Sequence, residues 1–118
     1  MRLSEELRQR TRHFASTVIR LYVKLPRRRA EVAILGRQLL RSGTSVAAHA
    51  REASRARSDA EFVSKLEGLL QEADESQLWL ELLRDDCGVE ALDPLVRETD
   101  ELLAIFTTMV SKLRQRGV

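Results

Sequence analysis

Arginine is the residue type whose number and spacing could do chemistry in this sequence. On a helix turning about 100° per residue, Arg37, Arg41, Arg51 and Arg55 fall within about 80° of one another, with Thr44 and Ala48 between them. A guanidinium is a bidentate ligand for phosphate, and a basic stripe is the electrostatic footprint of nucleic-acid binding. Glu61, Glu72 and Glu75 line one edge of a later helix together with Trp79. The two rows have a second use, pairing with each other between helices or between subunits, as charged faces commonly do. The run Arg27-Arg28-Arg29 follows Pro26 in a turn, and Arg8, Arg10 and Arg12 lie near the start of the first helix. These six, read as lying near helix ends or turns without nearby acids, are the expected phosphate contacts.

Other chemistry is poorly supplied. The two histidines, His13 and His49, form no His-x-x-x-His or Glu-x-x-His pair, so neither a zinc site nor a carboxylate-bridged di-metal site is expected. The single cysteine, Cys87, excludes an internal disulfide; it falls in a loop with no histidine near it in sequence. Asp85, Asp86 and Glu90 read as a solvated acidic turn. No phosphate-cradling glycine loop is present. The sequence therefore predicts no catalytic site, no cofactor and no metal.

The charge is divided along the chain. Residues 1–57 carry fourteen Lys or Arg against four Asp or Glu, a net of +10; residues 58–118 carry six against fourteen, a net of −8. The whole-chain value of +2 hides this split. Aromatic residues make up 4% of the chain, too few for a broad base-stacking surface. One thiol and no signal peptide suit a reducing cytoplasm. No apolar run approaches the ~18 residues of a membrane span.

Four helices must position these groups. Leu7, Phe14, Val18, Leu21 and Leu25 recur at helical spacing, with Ser4 as N-cap and Pro26 as the stop. A second helix runs from about Arg28 to Ala53, with Val32, Leu35, Leu39, Val46, Ala50 and Ala53 on its apolar face. Its middle, Ser42 to Ala48, is built of small residues. Gly43 costs ~1 kcal/mol against alanine inside a helix, so close approach of a neighbouring helix is expected there. A third opens on the capping box Ser58-Asp59-Ala60-Glu61 and stops between Arg84 and Gly88. A fourth opens with Asp93 as N-cap before Pro94. Long helices with short connections predict a single all-α domain over 1–118, an antiparallel up-down-up-down four-helix bundle.

Several of these segments together resemble a known family. Leu25-Pro26 with Glu31, Gln38 to Ala48, Arg51-Glu52-Ala53 and Arg57-Ser58 look like the signature of the small four-helix-bundle proteins encoded in 23S ribosomal RNA intervening sequences. The likeness continues through Glu61-Phe62, Lys65-Leu66 and Gln71 to Ser76 into Trp79 to Leu83, with a weaker echo at Glu98 to Leu102. It implies an antiparallel bundle assembled as a ring-shaped homopentamer. Such proteins are similar to the Avd accessory proteins of diversity-generating retroelements, which form basic pentamers and bind a reverse transcriptase and nucleic acid. Two positions depart from the pattern: His49 stands where asparagine is common, and Gly43 where alanine is common.

The resulting expectation is a non-enzymatic homo-oligomer that binds RNA or a nucleic-acid-processing protein through Arg8, Arg10, Arg12, Arg27, Arg28 and Arg29. Its head-to-tail contacts need self-complementary charge, to which Arg37, Arg41, Arg51, Arg55, Glu61, Glu72 and Glu75 are assigned. The alternative is a structural or adaptor module whose arginines are consumed in salt bridges.

Overall fold

The computed structural model describes residues 3–118. Four helices account for most of them: α1 (Glu5–Lys24), α2 (Ala30–Ser54), α3 (Asp59–Asp85) and α4 (Asp93–Gln115). Local chemistry sets their ends. The Ser4 hydroxyl accepts from the Leu7 N–H at 3.2 Å and opens α1. Leu25, held extended before Pro26, closes it. At α3 the Ser58 hydroxyl accepts from the Glu61 N–H at 3.1 Å. Only this half of the expected capping box forms, because the Glu61 carboxylate turns to Arg57, 3.7 Å away. Past Asp85, Gly88 takes φ +69°, a left-handed conformation that ends the helix at little steric cost.

The α4 boundary differs from expectation by one residue. Asp93 is the first helical residue rather than the N-cap; Leu92 flanks the helix and makes no side-chain cap. Leu92 is buried in the core, which fixes the chain's entry. The Asp93 carboxylate accepts from Arg84 at 3.0 Å instead of capping its own helix.

Contacts along each seam show that consecutive helices run antiparallel. Gly43 lies against Val18 and Gly36 against Tyr22 and Leu25, joining α1 to α2. The α2–α3 seam is closed by a buried hydrogen bond between Ser42 Oγ and Ser76 Oγ at 2.7 Å. Arg114 reaches Glu67 at 2.7 Å across the α3–α4 seam, and Gln77 bonds Asp100 further along it. Close backbone packing is concentrated in these three seams. The bundle measures 48 × 21 × 21 Å. Its core is one continuous cluster with Phe14, Phe62 and Phe106 as the largest fully buried side chains. Cys87 lies in the α3–α4 connection, yet it is a buried free thiol belonging to that cluster.

The two ends of the bundle differ. The large apolar side chains left exposed, Ile19, Val23, Ile34 and Leu78, all belong to the half nearest the α1–α2 turn. The opposite half carries Arg12, Arg51 and Arg55, exposed and without a carboxylate partner among the described residues.

Candidate nucleic-acid interface

The arginines separate by what their helices place beside them. Arg41, on the flank of α2 facing α3, reaches Glu72 at 3.0 Å and Glu75 at 3.1 Å. The hydrogen bond it donates to Glu72 is the main cause raising its guanidinium above its ordinary pKa. Arg10 donates through Nε and Nη2 to Glu98 at 2.9 and 2.8 Å and through Nη2 to Glu101 at 2.8 Å, tying α1 to α4. The Glu98 carboxyl is held below its usual range, first by the hydrogen bond from Arg10, with partial burial opposing. Arg8 pairs with Glu5 one turn back. Arg29 binds Glu31 at 2.8 Å and donates to the Cys87 carbonyl at 2.8 Å, tethering the α1–α2 turn to the α3–α4 connection.

Three of the six expected phosphate contacts therefore need correcting. Arg8, Arg10 and Arg29 do have acids beside them: Arg8 and Arg29 from their own helical neighbourhoods, and Arg10 two from α4. Arg27 lies over the Tyr22 ring, 4.7 Å from its centroid, a cation–π contact that leaves the charge at the surface. Arg12 and Arg28 are exposed and have no carboxylate partner among the described residues. The same holds, within one chain, for Arg37, Arg51 and Arg55.

The fold brings together residues that the sequence alone assigns to different sets. A groove of about 890 Å³ opens where the N-terminal half of α1 lies beside the C-terminal half of α2. Arg8 and Arg12 stand on the α1 wall, Arg51 and Arg55 on the α2 wall, and Lys65 enters from α3. Thr11, Ala47, Ala48, Ala50 and Ser54 line the space between. Three carboxylates also face it, each with a cation of its own: Glu5 with Arg8, Glu61 with Arg57, and Glu52 with Lys65 at 3.6 Å. The surplus positive charge belongs to Arg12, Arg51 and Arg55. Arginine pairs at i,i+4 on both helices, with Ala47-Ala48 just before one of them, were the available sequence signal; joining them required the α1–α2 register.

Among the described residues no cluster of His, Cys, Asp or Glu could hold a metal ion. No helix is long and apolar enough to cross a membrane.

Residues 5–108 match the 23S rRNA-intervening sequence protein family. The chain belongs to this family. Among solved structures the chain is similar to a protein of unknown function from the S23 ribosomal protein family of Bacteroides thetaiotaomicron VPI-5482. The two share 30% identity over 87% of this chain and 96% of that one, with a TM-score of 0.79. No curated protein matches.

Both departures from the family pattern acquire a structural context. His49 is half-buried, its ring packed on Gly68, with Nδ1 3.0 Å from Glu52 but out of hydrogen-bond geometry. A Cβ at Gly68 would lie 3.0 Å from that ring, so the wide imidazole is matched by a glycine opposite. Gly43 gives α1 its close approach: a Cβ at this position would lie 2.9 Å from both Val18 methyls.

Proposed function

We propose that this protein is a non-enzymatic, homo-oligomeric bundle that binds nucleic acid in the cytoplasm through its basic surface. The observation that carries the reading is a set of exposed arginines, Arg12, Arg28, Arg37, Arg51 and Arg55 among them, without a carboxylate partner among the described residues. Unpaired surface arginines raise the local potential and attract polyanions. Self-association, pentameric by resemblance, is supported by exposed Ile19, Val23, Ile34 and Leu78 on one half of the bundle. The test is native mass spectrometry of protein purified gently from its own host at low salt. An oligomer carrying mass that ribonuclease removes supports the reading; a bare oligomer refutes the RNA partner.

A second reading, an adaptor with no nucleic-acid role, is favoured by Arg10 and Arg41, each spent on two carboxylates. It requires Arg12, Arg51 and Arg55 to find acids on a second subunit.

A further inference from the structure

We propose that the α1–α2 groove takes the sugar–phosphate backbone of a single-stranded nucleic acid, without regard to sequence. The inference rests on the nucleic-acid reading above and names the ligand class and its seat.

Three observations carry it. The cations stand on both walls, Arg12 on α1 and Arg51 and Arg55 on α2, so they converge on whatever lies between two adjacent helices. Helices in contact have axes about 8–10 Å apart, and here Gly36 and Gly43 hold α1 close to α2. The groove therefore follows a single helix–helix seam, a seat suited to one strand, on which a duplex would rest only at the rim. The space between the walls is kept clear by small side chains, above all Ala47 and Ala48, which the packing of Gly43 against Val18 does not explain. Finally, among the described residues no aromatic side chain lines the groove. Strand-binding proteins that engage bases do so by stacking on aromatics; without them the contact is to phosphate, which positions but does not specify.

The salt dependence follows from the surplus charge. Each phosphate neutralised on a single strand contributes about −0.7 to the slope of log affinity against log salt, so three arginines give about −2. Between about 50 and 200 mM salt, affinity should fall roughly twentyfold.

The experiment is fluorescence anisotropy of the full chain with a labelled oligouridylate and with an RNA duplex of equal length, reading assembly mass on the same samples. The single strand should bind at least about tenfold tighter than the duplex, with the stated slope. Arg51→Glu/Arg55→Glu should lose tenfold or more, and Arg37→Glu, outside the groove, should not. Glu52→Gln removes a competing carboxylate and should tighten binding about two- to fivefold, a gain that misfolding cannot produce. Should the double reversal disturb assembly, Ala48→Leu decides, since it fills the trough at unchanged charge: lost strand binding at native mass supports the seat. Equal or tighter duplex binding overturns the single-strand assignment. Strand binding that survives both the double reversal and Ala48→Leu overturns the groove while leaving the nucleic-acid reading intact. No binding of either RNA at low salt overturns both.

Discussion

Gly43→Ala should destabilise this protein, the reverse of what the same change does on an exposed helix. Replacing glycine by alanine in a helix interior normally gains ~1 kcal/mol. Here the new Cβ would sit 2.9 Å from both Val18 γ-carbons and 3.2 Å from its Cβ. Valine is stiff at χ1, and with both methyls equally close a rotation exchanges one clash for another. Val18 is fully buried, so it has nowhere to withdraw. Relief must come from a shift of α1 against α2, and overpacking of this kind costs about 1–3 kcal/mol. The net loss is therefore about 1 kcal/mol, or roughly 4 °C in Tm for a domain of this size. The assay is urea and thermal unfolding followed by circular dichroism, at matched protein concentration because any oligomer stabilises by mass action. In a Val18→Ala background the clash is gone, so Gly43→Ala should become stabilising by ~1 kcal/mol, a coupling of about 2 kcal/mol across the cycle. A Gly43→Ala protein as stable as the parent, or additivity in the cycle, would refute the close-approach argument.

Three further outcomes are expected. Arg10→Met should cost about 1–2 kcal/mol at neutral pH by stranding the half-buried Glu98. Because Arg10 depresses the folded-state pKa of Glu98, that stabilisation is present above its unfolded value and is lost as pH falls through the folded one. The gap between parent and variant in urea unfolding should therefore close between about pH 5 and pH 3. Ser42→Ala or Ser76→Ala should each cost about 1 kcal/mol, and the double change less than their sum, because either single change already removes the buried hydrogen bond the two share. Arg41→Glu sets three carboxylates together on an exposed flank; it should lower Tm by a few degrees, within the ~1 kcal/mol typical of exposed pairs. An unchanged Tm and assembly mass would count against any role for that pair.

Helices were legible from apolar spacing and caps because those signals are local. Ser4, Ser58 and Pro26 act through atoms within a few residues, and the structure uses all three as the sequence implies. Asp93 misled by one residue because Leu92, held in the core, decides the entry of α4. The Arg41 geometry was accessible from the angle between rows on α2 and α3, which are consecutive in the chain. Arg10 was not, since its partners lie 88 and 91 residues away on α4 and no local pattern encodes that neighbourhood. The groove was hidden for a related reason. Its arginines come from α1 and α2 in antiparallel register, and their charge surplus depends on which carboxylates turn to Arg8, Arg57 and Lys65.

The charge split has a consequence for the chain while it is being made. Synthesis runs from the N-terminus at about 5–20 residues per second, so residues 58–118 follow the first half by roughly 3–12 seconds. During that interval the nascent α1–α2 hairpin, with a net charge of +10, is a polycation beside ribosomal RNA. The acids that later engage Arg10 and Arg41 have not yet emerged. Folding of α3 and α4 then sets carboxylates beside those two arginines and lowers the net charge from +10 to +2. A peptide of residues 1–57 should accordingly bind RNA more tightly and less selectively than the full chain; equal affinity in a direct titration would show that the second half neutralises nothing.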